Sequence, residues 1–290
     1  MPIKLGQQHA RPLTTQEAFA HCEKLAKTHY ENFTVGSKFI PKDKRQHIYN
    51  IYAYCRFVDD LGDEAERDRM ALLDQWEAEV KLCYTSAPRH PILIALKETI
   101  AQFQISQEPF LKLIEANRMD QHTSRYPTYD DLLYYCQHSA NPVGHMVLYL
   151  FGHRDEERQR LSDCTCTALQ LTNFWQDIAR DFKKGRIYLP LEDMDRFEYS
   201  EDELAQGVVN QNFVRLMAFQ VERARALFKE GLKLVEKVDG LLKIDLRLFS
   251  MGGMKVLEAI EKNGYDVFRK RPTLSKLAKV RLMASAVARL

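Results

Sequence analysis

Four aspartates carry the chemistry this sequence offers. Asp59 and Asp63 stand four residues apart, and so do Asp177 and Asp181. Residues at i and i+4 share one face of a helix, so each pair projects two carboxylates the same way from the end of an apolar run. Both polar faces extend upstream, through Tyr52 and Arg56 on the first helix and through Gln170 and Asn173 on the second. Amides and acids inside a run such as Leu169-Gln170-Leu171-Thr172-Asn173-Phe174-Trp175 are polar groups in need of partners. Two carboxylates about 6 Å apart repel by roughly 3 kcal/mol at an effective dielectric near 20, and acids at a helix C-terminus also oppose the helix dipole. Mg²⁺ relieves both: it prefers carboxylate oxygen, keeps several waters and bridges to phosphate. The constellation therefore reads as Mg²⁺ holding a diphosphate, with the metal assisting its departure as a leaving group. The alternative is that each pair merely decorates a helix end; two matched pairs argue against it.

The elements that must position these groups are helices. Thr14 or Thr15, with Glu17 in the first turn, starts a helix running to about Tyr30, and Asn32 to Pro41 is a break. Pro41 opens the helix that ends near Asp63, its apolar positions Ile48, Ile51, Tyr52 and Cys55 falling at 3-4 spacing. Further helices are predicted over Asp68–Tyr84, from Pro91 to about Phe103, and from Pro109 to about Asp120. Thr128 caps a helix beginning Tyr129-Asp130-Asp131, kinked at Asn141-Pro142, where proline removes a backbone donor. Leu161 to Asp181 is long and apolar. Lys184-Gly185-Arg186 ends it, and Arg186 to Leu191 is extended. Ser200 with Glu203 makes a capping box, and Asn212–Val238, Ile244–Lys262 and Pro272–Leu290 complete the series. With no strand pattern and no linker-like stretch, the chain reads as one all-α domain over residues 1–290.

Composition agrees and excludes other classes. The 290 residues carry 42 Lys+Arg against 40 Asp+Glu, a net charge of +2, so bulk attraction to nucleic acid is not expected. Hydrophobic residues at 45% are enough to exclude a disordered chain, and only 12 Gly and 10 Pro leave room for long helices. Residues 1–9 hold no apolar core of a secretory signal, and no apolar stretch reaches spanning length. The six cysteines are dispersed and read as reduced thiols of a cytoplasmic protein.

At the acidic motifs the sequence resembles a known family. Ile51-Tyr52-Ala53-Tyr54-Cys55-Arg56-Phe57-Val58-Asp59-Asp60-Leu61-Gly62-Asp63 is similar to the first aspartate-rich motif of the squalene/phytoene synthases. Asn173-Phe174-Trp175-Gln176-Asp177-Ile178-Ala179-Arg180-Asp181, followed by Gly185-Arg186-Ile187-Tyr188-Leu189-Pro190, is similar to the second. The likeness runs from about His29 to Arg271. It implies an all-α isoprenoid synthase-type bundle around a deep central apolar cavity, with the two motifs on facing helices near its mouth. A narrower likeness, carried by His29-Tyr30-Glu31-Asn32-Phe33-Thr34-Val35-Gly36-Ser37, Ser139-Ala140-Asn141-Pro142-Val143-Gly144 and Asn173-Phe174-Trp175-Gln176-Asp177, is to the hydroxysqualene synthase branch of bacterial hopanoid pathways. Squalene and phytoene synthases usually carry Arg where this chain has Gln176. A neutral amide suits diphosphate far less than a guanidinium does, which sets this chain apart from the enzymes that condense two diphosphates.

The resemblance implies roles by position. Asp59, Asp63, Asp177 and Asp181 would anchor Mg²⁺ and diphosphate, with Asn173 assisting. His29 and Arg56 match positions that contact the diphosphate, and Tyr188, Tyr265 and Arg269 or Arg271 match positions that close over it. Asp120 and Tyr135 match positions near the reacting carbons, with Tyr52 and Gln170 on the same polar faces. More ordinary readings stand beside these: Arg56 pairing with Asp59 or Asp60, Tyr52 and Tyr135 as core aromatics, and residues 269–271 as a solvated end.

The reaction so implied is Mg²⁺-dependent conversion of presqualene diphosphate to hydroxysqualene. Diphosphate leaves, the cyclopropyl cation rearranges between apolar and aromatic walls, and one water captures it. Tyr135, Asp120, Gln170 and Gln176 are candidates to hold that water. Capture by water requires no NADPH. The functional partner expected is a presqualene diphosphate synthase. The alternatives are head-to-head condensation of two prenyl diphosphates and a silent helical assembly factor, the latter disfavoured by two intact aspartate motifs. Arg269, Lys270, Arg271, Lys276, Lys279, Arg281 and Arg289 interleave with Leu274, Leu277, Leu282 and Val287. Such a segment suits peripheral contact with an anionic bilayer, or equally a last helix packed on the bundle.

Overall fold

The computed structural model describes residues 13–28, 40–66, 68–275, 281–282 and 284. His29 and most of the helix predicted over Pro272–Leu290 lie outside these residues. The described chain is all-α. In order come α1 (Thr15–Thr28), α2 (Lys42–Asp63), α3 (Arg69–Thr85), α4 (Pro91–Phe103), α5 (Glu108–Met119), α6 (Tyr129–Ser139) and α7 (Asn141–Leu150). They are followed by α8 (Glu156–Lys183), α9 (Leu191–Arg196), α10 (Glu201–Gln206), α11 (Gln211–Gly231), a 3-10 helix (Leu232–Lys237) and α12 (Leu242–Lys262). Among the described residues extended pairing is limited to one parallel bridge, Arg125 with Ile187, at the start of the stretch read as extended.

Local signals set most helix ends. Glu17 N–H donates to Thr14 Oγ1 at 3.3 Å while Thr14 N–H donates to Glu17 Oε2 at 2.9 Å, so Thr14 is the cap. Thr128 with Asp131 and Ser200 with Glu203 form capping boxes. At the end of α8, Gly185 takes φ 80° and Arg186 N–H reaches back to the Asp181 carbonyl at 2.9 Å. The departures have physical reasons. Helix α8 begins five residues before Leu161; residues 156–160 lie outside the core and carry no apolar pattern, so hydrophobic periodicity does not announce this start. The predicted kink at Asn141-Pro142 is a full break, with Ala140 between two helices. The helix expected over Asn212–Val238 tightens to 3-10 after Gly231. A Cβ on Gly231 would lie 2.2 Å from Thr165 Oγ1, which shows how closely α11 approaches α8 there. Pro272 opens no helix: residues 271–275 are irregular.

The chain divides into two compact units, residues 1–122 with 142–155, and residues 123–141 with 156–290. In the first, α2 packs against α1, α3, α4 and α5. Its inward stripe Ile51, Tyr54, Val58, Leu61 is buried. Tyr54 stacks near Trp76, meets Phe110 edge-on at 5.1 Å and donates its hydroxyl to the Phe110 carbonyl at 2.7 Å. Asn50 Nδ2 donates to the Ala95 carbonyl at 3.1 Å and to Thr99 Oγ1 at 2.9 Å, tying α2 to α4. These contacts fix the rotation of α2 and so the direction in which Tyr52, Arg56, Asp59 and Asp63 point.

In the second unit α8 runs along α11, with α12 against both and α6 against α8. Leu161, Ala168, Leu171 and Trp175 form its buried stripe. A Cβ on Gly253 would lie 2.1 Å from the Phe228 ring, so α12 also approaches α11 closely. Asp193 is buried and satisfied, by Arg223 at 2.5 Å and Gln220 at 2.8 Å. Asp245 on α12 is equally buried, but its Oδ1 has no hydrogen-bond partner among the described residues, and burial pushes its carboxyl up to about 7. No helix among the described residues is long and apolar enough to cross a membrane.

Candidate active site

The first acidic pair sits on the last two turns of α2. Asp59 is accessible on one side and crowded by protein elsewhere. That crowding, by desolvation, pushes its carboxyl up to about 7, against the opposing pull of an Asn117 hydrogen bond and the Arg56 charge. Asp59 is thus a carboxylate in a recess, open on one side. Asn117 Nδ2, on α5, approaches Asp59 Oδ1 at 3.5 Å and also donates to the Leu113 carbonyl at 3.0 Å. Gln121 Nε2 donates to the carbonyls of Gly62 (3.1 Å) and Asn117 (2.9 Å). Gly62 makes this seam possible, since a Cβ there would stand 2.1 Å from Asn117 Oδ1. Asp63 closes the helix, its carbonyl accepting from Arg69 Nη2 at 2.9 Å, a cation where the dipole favours one. Arg56 pairs with Asp60 at 2.5 Å and Glu64 at 2.8 Å. The Asp60 pairing is one of the two ordinary readings of Arg56. Tyr52 is half-buried one turn upstream.

The second pair sits on the last turns of α8 and is held differently. Arg271 grips Asp177 with a two-pronged fork, Nε to Oδ1 and Nη2 to Oδ2, both at 2.7 Å. With Arg271 31% and Asp177 21% exposed, the fork is shielded well beyond a surface ion pair. Arg180 adds a looser contact to Asp177 at 3.3 Å. Asp181 is half-buried. Burial first, and the neighbouring Asp177 second, push its carboxyl up to about 7, while Lys184, Arg186 and Arg180 oppose the shift. Upstream on the same face Asn173 is exposed and Gln170 half-buried. Gln176 points elsewhere: it is buried, with its amide on Pro272 and Arg271.

Beside Asp181 lies an aromatic wall. Tyr188 stacks on Phe174 with centroids 3.8 Å apart and planes 7° from parallel, and lies 5.6 Å from Tyr126 and 5.9 Å from Tyr135. Asp181, Phe174, Ile178, Tyr188 and Leu204 line one small cleft. Tyr135 and Tyr188, assigned different roles from sequence, thus belong to one cluster of ring faces.

Asp120 caps the C-terminus of α5, its N–H on the Ala116 carbonyl at 3.1 Å. Tyr265 has φ 63° directly after Gly264 at φ 62°, in the turn that closes α12. Burial raises its hydroxyl pKa above the ordinary value, with Glu261 adding to the shift and Arg225 opposing it. Of the two late arginines, Arg271 reaches the acidic pair; Arg269 is 91% exposed and pairs with Asp266 at 3.3 Å. Sequence reasoning passed over Asn117, Gln121, Tyr126 and Pro272. A signal for the first two was present: polar residues four apart at the end of an amphipathic helix, Gln121 two residues past its last turn, and a glycine inside the helical motif they meet, where only close approach explains its helix-weakening presence.

The four aspartates fit Mg²⁺ by donor chemistry. They offer only hard oxygens, and at Asp59 and Asp181 the surroundings disfavour an uncompensated charge. Among the described residues no three acidic, histidine or cysteine side chains close on one point.

Comparison with known proteins decides the family. The sequence matches squalene/phytoene synthase over residues 26–278. The chain belongs to the squalene/phytoene synthase family. Within this family it is 34% identical to a 15-cis-phytoene synthase of Synechococcus elongatus, over 90% of each chain, and 33% identical to a phytoene synthase of Arthrospira platensis, over 92% of each. Among solved structures it resembles squalene synthase HpnC from Alicyclobacillus acidocaldarius, with 46% identity, a TM-score of 0.85, and 88% of this chain and 97% of that one covered. It also resembles a dehydrosqualene synthase solved with a ligand, at 28% identity and a TM-score of 0.87, over 95% and 97%. The all-α isoprenoid synthase-type architecture expected from the motifs is therefore the observed one.

Proposed function

We propose that this family member converts presqualene diphosphate to hydroxysqualene. The observation that carries the reading is the 46% identity to the HpnC squalene synthase over nearly the whole of that chain, together with Gln176 where condensing relatives usually carry Arg. Asp59 and Asp63 on one helix, with Asp177 and Asp181 on another, would hold Mg²⁺, and that both pairs serve one diphosphate rests on the family likeness. Bound Mg²⁺ supplies charge stabilisation to the departing diphosphate. The chain's own residues do the rest. Arg271 supplies a guanidinium beside Asp177. The ring faces of Tyr126, Tyr135, Phe174 and Tyr188 favour a developing cation and exclude bulk water. The C–O bond to diphosphate breaks with its electron pair on oxygen, the three-membered ring opens, and water adds with loss of a proton. Gln170, Asp120 and Tyr135 stay candidates to hold that water. The amide of Gln176 is engaged by Arg271 and Pro272, which supports the other three over it. A deep apolar cavity, a single domain over 1–290, peripheral contact with the inner face of a membrane and supply by a presqualene diphosphate synthase complete the proposal.

The phytoene synthase relatives favour a second reading, head-to-head condensation of two prenyl diphosphates. One assay separates them. The purified chain with Mg²⁺ is given presqualene diphosphate, farnesyl diphosphate or geranylgeranyl diphosphate without NADPH. Hydroxysqualene from the first and no C30 or C40 product from the others is expected; turnover of farnesyl or geranylgeranyl diphosphate alone would overturn the first reading in favour of the second.

A further inference from the structure

Gln176 occupies a place that neither its motif nor its charge explains. The side chain is 6% exposed. Its Nε2 donates to the Pro272 carbonyl at 2.5 Å, and its Oε1 accepts from Arg271 Nη2 at 3.5 Å. The same Arg271 spends Nε and Nη2 on the two oxygens of Asp177. One buried amide therefore fixes the backbone at 272 and steers the guanidinium of 271 onto the carboxylate of 177. Both halves of the amide are used, and no charged side chain could replace it. Arginine and lysine offer donors only and could not receive Arg271, and a carboxylate offers acceptors only and would repel the Pro272 carbonyl. An arginine at 176 would also set a second guanidinium against the first.

The fork takes both oxygens of Asp177, the atoms a metal would need, and it leaves the Nη1 donors of Arg271 outside these contacts. Arg271 is a third exposed, so an anion can reach it without disturbing Gln176. We propose that Gln176 is a positioning residue that holds Arg271 as an exchangeable counter-ion, able to pass from Asp177 to a diphosphate bound beside it. The chemistry recognised is the diphosphate group, and the inference rests on reading Asp177 and Asp181 as Mg²⁺–diphosphate ligands.

Calorimetric titration of the full chain with inorganic pyrophosphate in excess Mg²⁺ tests it without turnover. Gln176→Met should weaken binding about tenfold, the expected effect of losing one buried charge-assisted contact. Arg271→Ala should weaken it at least as much. In the Arg271→Ala background Gln176→Met should add less than twofold, because the amide acts through the guanidinium; a purely structural amide would add the same loss in both backgrounds. The exchange Gln176→Arg with Arg271→Gln should recover part of the affinity lost in Gln176→Arg alone. Circular dichroism and melting temperature check that each variant folds, and Gln176→Asn, which keeps the amide but shortens its reach, replaces Gln176→Met if that variant does not. Equal losses in both backgrounds, or none in either while the parent binds, overturn the role of Gln176 and leave the diphosphate site standing. A parent chain that shows no Mg²⁺-dependent pyrophosphate binding overturns both.

Discussion

The ends of α2 and α8 carry the same pattern, two carboxylates one turn apart, and the protein manages their charge in opposite ways. At Asp59 the nearest partner is a neutral amide, Asn117, held at 3.5 Å by a helix seam that Gly62 permits, while the local arginine pairs with Asp60 and Glu64. At Asp177 a guanidinium grips both oxygens, brought from 94 residues away by an irregular segment. Asp59 meets a neutral amide, while Asp177 is gripped by a guanidinium that, in the reading proposed above, passes to the diphosphate. Equal spacing in sequence therefore does not mean equal readiness to bind.

The largest effect should come from the carboxylates themselves. Asp59→Asn and Asp177→Asn should each lower kcat on a prenyl diphosphate by roughly 10²–10³-fold, as loss of a group that stabilises developing charge does. Their melting temperatures should separate: Asp177→Asn strands Arg271 and falls, whereas Asp59→Asn removes a desolvated charge and holds or rises. Equal melting shifts would erase the contrast between the two ends. Asp245 extends it, as a buried carboxylate whose Oδ1 meets neither amide nor guanidinium among the described residues. Its folded pKa near 7 lies above the unfolded value near 3.8, so the native state keeps a proton that the unfolded chain releases. Stability then falls as pH rises from about 4 to about 7 and is level above. Asp245→Asn should abolish that slope, gaining up to roughly 4 kcal/mol at pH 8 and little near pH 4; an equal gain in urea melts at both pH values would show that Asp245 has a partner after all. Gly62→Ala should cost about 1–3 kcal/mol by forcing α5 off α2, and an unchanged denaturation midpoint would remove the seam from the account of Asp59. Smallest is the difference between two neighbouring arginines. Arg269→Ala should change Mg²⁺-pyrophosphate affinity less than twofold, against about tenfold for Arg271→Ala, and similar losses would mean that the exposed Arg269 folds in when diphosphate binds.

The fold was legible because its signals are local. Thr14, Asp68, Thr128 and Ser200 announce helix starts within three residues of themselves, and Ile51, Tyr54, Val58 and Leu61 repeat with the helix. Both acidic pairs could be placed on their helices for the same reason. What could not be read were contacts that close over long stretches of chain. Asn117 meets Asp59 across 58 residues and Arg271 meets Gln176 across 95, and no periodicity records either. Basic character and alternation suggested a helix starting at Pro272, but the backbone there is committed to Gln176. The same missing information left Arg269 and Arg271 equivalent in sequence, although one is solvated and the other bound.

The segment between α12 and the clamp is pinned at both ends. Gly264 and Tyr265, consecutive left-handed residues, fix its start. Asp266 Oδ1 accepts from the N–H groups of Phe268 and Arg269, and Phe268 seats against Phe213. Pro272 fixes the finish. Six residues thus separate Tyr265 from Pro272 with little slack, so this stretch is a ruler whose information lies in its length. Exposed Arg269 and Lys270 can change identity without moving the fork. One residue inserted or deleted among them would bring a different side chain to Asp177, and no compensating substitution elsewhere would restore the register.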